Sequence, residues 1–268
     1  MPETQSVSAA PHYDSYVALG DSFTAGPGIP PQAADACGRS GSNYPTLVAA
    51  ALDVPHFVDV SCGGAVSTHL EHPQPTFRGV AVPPQYEALT PDTDLVTVGV
   101  GGNDIGLVQL AAGCVNLSPP PDGLSCAETN TAGGTDRVDA VINAFAPRYE
   151  MIADEIRERS PHARIVFVGY PTGIRAGGCF PEQRVWPQDA TYLQDKIGRL
   201  NTVMEQQAHA ADAEYVDLGS STVGHDACAE PGDRWMEGLV PVAESIPMHP
   251  NAAGHRNTAE RILESLAG

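Results

Sequence analysis

Five short segments of this chain are apolar at most positions, and between them lie longer segments whose apolar residues recur every three to four positions. The short runs are 16–19, 57–60, 94–100, 164–169 and 215–218, and each is predicted to be a buried strand. The run at 94–100 is the clearest: β-branched and nearly continuous, it fits a parallel sheet covered on both faces. Helical spacing predicts helices over 44–52, 138–158, 190–211 and 252–266. In the second of these Val138, Val141, Ile142, Phe145, Tyr149, Ile152 and Ile156 share a face, and Pro147 is placed to kink it. In the third, Leu193, Ile197, Leu200 and Met204 form the stripe. Strands alternating with helices predict a doubly wound parallel α/β sheet, and neither a repeat nor a linker divides the chain.

Three stretches, 113–134, 171–187 and 219–250, lack this periodicity and are read as long irregular connections. A long loop in a compact domain is usually functional or stapled. The composition agrees, with 27 glycines and 24 prolines in 268 residues. Six cysteines, Cys37, Cys62, Cys114, Cys126, Cys179 and Cys228, are spread through such stretches, and none forms a CxxC pair. That spacing is wrong for zinc or a thioredoxin-like site. An even count in this setting predicts three disulfides in an oxidising compartment, the alternative being six buried thiols. Residues 1–10 are polar and lack the apolar core of a secretion signal. The chain is therefore expected to be a secreted mature or recombinant form without its signal peptide, with 1–14 a flexible lead-in and 15–268 a single domain.

Charge narrows the function. Fourteen basic residues against 33 acidic give a formal charge of −19. Such a surface repels phosphate backbones, which argues against nucleic acid, and it disfavours docking on anionic membranes. No apolar run approaches the ~18 residues of a membrane span, so no stable membrane insertion is expected.

Candidate chemistry falls just after the strands, where ligands of such sheets bind. Gly20-Asp21-Ser22-Phe23-Thr24-Ala25-Gly26 follows the first strand. It is not a GxSxG elbow, because Thr24 stands at the second Gly position. A serine at a strand-to-helix turn still presents its hydroxyl at the sheet's mouth, beside a helix N-terminus that favours a developing anion. Ser22 as a plain helix cap is the alternative. Ser61-Cys62-Gly63-Gly64 follows the second strand, and its glycines let a backbone N–H approach a ligand, or else make a tight turn. Gly101-Gly102-Asn103-Asp104 follows the third, where an Asn amide could donate into the same mouth or cap a turn. His249-Pro250-Asn251-Ala252-Ala253-Gly254-His255 opens the last helix. A nucleophilic serine needs a base such as His249. His255, six residues on, is expected to lie inside the helix as a packing or hydrogen-bonding residue.

In the order Ser, Gly, Asn, His, these four segments resemble the signature blocks of the SGNH (GDSL-type) hydrolase superfamily, over nearly the whole chain from Tyr16 to Leu266. The cysteines and long loops are similar to its actinobacterial secreted lipase and esterase branch. The resemblance implies a single three-layer α/β/α domain with a five-stranded, parallel, flavodoxin-like sheet and long disulfide-stapled loops. It implies Ser22 as nucleophile and His249 as base, with the Ser22 N–H, the Gly64 N–H and the Asn103 side chain as oxyanion donors. It also implies the pairing Cys37–Cys62, Cys114–Cys126 and Cys179–Cys228. The expected activity is hydrolysis of small-molecule or lipid carboxylic esters, with no metal or cofactor and by a monomer. Carbohydrate deacetylation and phospholipase A1 activity are alternatives at the same site, and a non-catalytic binding protein is the alternative from another class.

One position departs from the family pattern. Many members carry Asp three residues before the catalytic His, where this chain has Ile246. A Ser22–His249 dyad is therefore predicted, with the main-chain carbonyl of Ile246, or second that of Pro247, orienting the imidazole. The competing expectation is a carboxylate from the last loop: Asp226, Glu230, Asp233, Glu237 or Glu244.

Overall fold

The computed structural model describes residues 12–33, 35–76 and 79–268. The sheet strands are β1 (Ser15–Gly20), β2 (His56–Asp59), β3 (Leu95–Gly99), β4 (Arg164–Val168) and β5 (Glu214–Val216). They lie in the order β2-β1-β3-β4-β5, all parallel, the flavodoxin-like order. The chain moves outward from β1 to β2 and returns past β1 to β3, so the direction of winding reverses between β1 and β3. At that switch point Gly20 is in register with Gly99, and the Asp21 N–H donates to the Gly99 carbonyl at 2.9 Å. A gap between strand ends opens where winding reverses, and this is where such sheets bind ligands.

Alternating strand residues feed two cores. Tyr16, Ala18, Leu95, Val166 and Val168 face α2 (Tyr44–Ala51) and α8 (Ala252–Ala267), meeting Val48, Ile262 and Leu266. Val17, Leu19, Val96, Val98 and Phe167 face the opposite layer and meet Ile142, Ile152, Ile156, Leu200 and Met204. That layer contains α5 (Arg137–Phe145), α6 (Pro147–Arg159) and α7 (Pro187–Ala210). Each of these large side chains contributes roughly 1.5–3 kcal/mol on burial, and together they make the strand ends a rigid platform.

Three local readings change. The helix expected over 138–158 is two helices, α5 and α6, because Pro147 supplies no N–H and begins the second as its first residue. Within 113–134 lies a short helix, α4 (Cys126–Thr131), preceded by α3 (Leu107–Gly113). The sequence of α4 has no apolar period; caps hold it instead. Ser125 accepts from the Glu128 N–H, and buried Asp189 accepts from the Ala127 N–H and the Ser125 hydroxyl. Helix α7 starts at Pro187, three residues before the predicted start. Residues 1–11 of the expected flexible segment lie outside the described residues. At its edge Tyr13 is buried and its hydroxyl accepts from Arg164 at 3.1 Å.

The six cysteines form three disulfides, Cys37–Cys62, Cys114–Cys126 and Cys179–Cys228. The first ties the loop after α1 (Ser22–Ala25) to the end of β2, and the third ties the loop before α7 to the last loop. No described helix is long and apolar enough to cross a membrane.

Candidate active site

Ser22 is the first residue of the single-turn helix α1 and is nearly buried. Asp21, not Ser22, is the N-cap: its Oδ1 accepts from the Phe23 N–H at 2.8 Å. That frees the Ser22 hydroxyl, which donates to His249 Nε2 at 2.7 Å across 227 residues of sequence. His249 sits three residues before the start of α8, whose N-cap Asn251 accepts from the Ala253 and Gly254 N–H groups. The imidazole packs against the Phe23 ring at 4.8 Å.

Nδ1 of His249 faces the carbonyl of Pro247 at 2.8 Å. A carbonyl only accepts, so Nδ1 carries the proton and Nε2 is free to accept from Ser22. The expected carbonyl of Ile246 is thus replaced by that of its neighbour. The reason is local: Met248 has φ +58°, a left-handed turn that folds Pro247 back over the imidazole two residues later. Ile246 instead passes over Gly28, where an added Cβ would lie 3.1 Å from the Ile246 nitrogen. Burial holds the His249 pKa below the ordinary histidine value, and the Pro247 carbonyl opposes that shift. The imidazole is therefore neutral at pH 7.

The five rival carboxylates are engaged elsewhere or exposed. Asp226 accepts from Arg175 at 3.0–3.1 Å and from the Cys228 N–H at 2.9 Å. Glu237 accepts from Asn251 Nδ2 at 2.7 Å and from the Val242 N–H at 2.8 Å. Its own N–H donates to the His249 carbonyl at 2.9 Å, so it braces the histidine loop without meeting the ring. Glu230, Asp233 and Glu244 are exposed. Among the described residues no carboxylate is bonded to His249.

The Gly63-Gly64 and Gly102-Asn103 turns adjoin Ser22 and one another. The Cys62 N–H donates to the Gly20 carbonyl at 3.0 Å, and Asn103 Nδ2 donates to the Ala65 carbonyl at 2.9 Å. Gly64 has φ +77° and is exposed, which leaves its N–H free among the described residues; a side chain there would be strained. Asp104 accepts from the Ser67 hydroxyl at 2.6 Å and from its N–H at 3.0 Å, pinning the Asn103 turn to the second block. Burial raises the Asp104 pKa against those bonds. Asp21 is fully buried and pushed up to about 7 by desolvation, opposed by hydrogen bonds from Tyr170 and the Phe23 N–H.

His255 stands apart from this cluster. It is buried inside α8, and its Nδ1 accepts from the Tyr44 N–H at 3.1 Å, tying α8 to the start of α2. Burial pushes its pKa down to about 3, so it stays neutral. Among the described residues no group of three or more His, Cys, Asp or Glu is placed to hold a metal ion.

Beside Ser22 a groove of ≈ 690 Å³, counting its open mouth, runs from Phe23 and Met248 toward Ile174, Val185, Leu193 and Ile197. Its walls are almost wholly apolar, with Gln183 and Glu237 among the few polar lining residues.

The chain matches the GDSL-like Lipase/Acylhydrolase family over residues 18–256. It is 36% identical to lipase 2 of Streptomyces coelicolor, over 96% of this chain and 87% of that protein. The fold superposes on phospholipase A1 of Streptomyces albidoflavus NA297 with a TM-score of 0.76 at 25% identity, covering 96% of this chain and 100% of that one. An extracellular lipase of Streptomyces rimosus superposes with a TM-score of 0.77 at 24% identity, covering 95% and 99%.

Proposed function

The chain belongs to the GDSL-like lipase/acylhydrolase family and is a carboxylic ester hydrolase; from that premise we propose that it works through an acyl-enzyme on Ser22, with His249 as its base. The observation that carries the assignment is the 2.7 Å contact between Ser22 Oγ and the unprotonated Nε2 of His249. Ser22 Oγ attacks the ester carbonyl carbon while its proton passes to Nε2. The Pro247 carbonyl stabilises the imidazolium that forms, as the third member of a triad would. Negative charge gathers on the former carbonyl oxygen, for which the Ser22 N–H, the Gly64 N–H and the Asn103 amide serve as donors. The imidazolium then protonates the departing alcohol as the C–O bond breaks. Water, activated by the same histidine, releases the acid and restores Ser22.

The apolar groove favours an acyl chain over a sugar, which would need polar partners along the walls. A lipid ester is therefore the substrate class, and the likeness to a phospholipase A1 supports a diacyl phospholipid, beside simple acyl esters, as a second reading. The three disulfides suit an oxidising compartment outside the cell, and one chain supplies every site residue, as a monomer would. The test is a series of p-nitrophenyl esters from acetate to palmitate, with phosphatidylcholine beside it. Rising kcat/KM with chain length up to a medium or long chain is expected. A preference confined to acetate would remove the acyl-chain reading.

A further inference from the structure

Tyr170 follows the end of β4, and its buried side chain reaches between the turns that carry Ser22 and Asn103. Its hydroxyl oxygen accepts from the Gly102 N–H at 2.7 Å and donates to Asp21 Oδ2 at 2.7 Å. Gly102 and Asp21 are the residues immediately before Asn103 and Ser22. One oxygen atom thus bridges the two turns at the position preceding each functional residue. The other carboxylate oxygen of Asp21 holds the Phe23 N–H at 2.8 Å, which fixes the helical turn bearing the Ser22 N–H.

The bridge is itself anchored. The Tyr170 N–H donates to Asn201 Oδ1 at 2.8 Å, and its carbonyl accepts from Asn201 Nδ2 at 2.7 Å, so α7 fixes the backbone on which the ring hangs. The ring packs edge-on against Phe23, with centroids 5.1 Å apart. On the far side there is no slack: a Cβ on Gly102 would stand 3.0 Å from the Tyr170 hydroxyl. Tyr149 offers a contrast, since its hydroxyl lies against Gly101 but donates to the Val100 carbonyl at 3.1 Å and bonds neither Gly102 nor Asp21.

We propose that Tyr170 and Asp21 are a positioning pair that sets the separation between the Ser22 N–H and the Asn103 amide, two donors on different strands that must meet at one oxyanion. The inference rests on the roles given above to Ser22 and Asn103. Burying a carboxyl is costly, and hydrogen bonds at both of its oxygens offset that cost only while the bridge is closed. The geometry the pair holds matters only once charge develops on the substrate oxygen, so its loss registers in kcat. The ring of Tyr170 also lines the groove, and a purely substrate-contacting role would register in KM.

The test is Tyr170→Phe, which keeps the ring and removes the bridging oxygen, together with Asp21→Asn and the double variant. Activity is measured on a soluble short-chain ester and normalised to the sites titrated by a fluorophosphonate, so that misfolded protein does not count. Tyr170→Phe should lower kcat by about 10²-fold, the scale of a 1 Å misplacement, and leave KM within about twofold. Asp21→Asn should act in the same direction, and the double variant should lose no more than the worse single one, because either change opens the same bridge. Unchanged kcat in Tyr170→Phe, a loss confined to KM, or losses that multiply in the double variant would overturn the pair. Where Tyr170→Phe does not fold, Asp21→Asn makes the same kcat-against-KM test from the other end. Ester hydrolysis that survives in a folded Ser22→Ala variant would defeat the underlying site assignment instead, and the two failures are thereby distinct.

Discussion

Replacing Asn103 by alanine separates oxyanion binding from substrate binding. The side chain is half-buried, and one of its amide protons is committed to the Ala65 carbonyl at 2.9 Å. The second has no partner among the described residues and is the one available to a substrate oxygen. Removing an oxyanion donor costs ~10²–10³ in kcat, or about 2.7–4 kcal/mol, because the bond strengthens as charge develops. Loss of the Ala65 bond is a separate and smaller effect, about 1 kcal/mol of stability for a neutral pair. In a domain of this size that lowers Tm by about 2–4 °C. The assay is steady-state hydrolysis of a soluble p-nitrophenyl ester at a temperature well below the midpoint, with a thermal melt on the same sample. The expected outcome is a kcat loss of two to three orders of magnitude, nearly constant KM and a small drop in Tm. A raised KM at unchanged kcat would make Asn103 a ground-state contact. A kcat loss tracking the fraction unfolded would make it a structural residue.

Other expectations follow from the same geometry. Because burial lowers the His249 pKa, kcat/KM should rise with pH through a midpoint below the ordinary histidine value of ~6.5; a midpoint above it would mean that a carboxylate stabilises the imidazolium. His255 titrates at about 3 in the folded chain, so its contribution to stability is complete above ~6.5 and is lost as pH falls from there toward 3. Urea melts of wild type and His255→Asn across that window should converge toward low pH, and parallel curves would refute the assignment. The disulfides close loops of 12, 25 and 49 residues, for which chain entropy gives roughly 2.8, 3.5 and 4 kcal/mol. Removing Cys179–Cys228 by paired serine substitutions should therefore destabilise most in chemical denaturation, and a largest loss at Cys114–Cys126 would contradict the ordering.

The sheet was legible because its strands are buried on both faces and read as apolar runs, with β3 the plainest. The site was legible in outline because a doubly wound sheet delivers the residues after each strand to one edge, so Ser22, Gly64 and Asn103 could be placed together before any contact was known. Three features were not. Helix α4 carries no apolar period and depends on Ser125 and on Asp189, 64 residues after Ser125 in sequence. The imidazole's partner depends on the left-handed backbone of Met248, a conformation that no residue-type pattern announces at a methionine. Tyr170 lies just past the fourth strand, outside any motif, and its hydroxyl bonds residues 68 and 149 positions away, a pairing visible only once β1, β3 and β4 are side by side. The common cause is that local pattern reports which face a residue buries, whereas these contacts are made between chain segments whose approach is set by the whole sheet.

The central claim is that one serine carries the acyl group. The most direct measurement is intact-mass and peptide analysis of the wild-type chain after reaction with a fluorophosphonate, followed by ester hydrolysis on the same sample, with Ser22→Ala in parallel. A single adduct is expected, located on Ser22, with activity lost in proportion to labelling; Ser22→Ala should take no label and hydrolyse no ester above background. Hydrolysis that survives complete labelling, an adduct on another residue, or a folded Ser22→Ala variant with a substantial fraction of wild-type kcat would contradict the account.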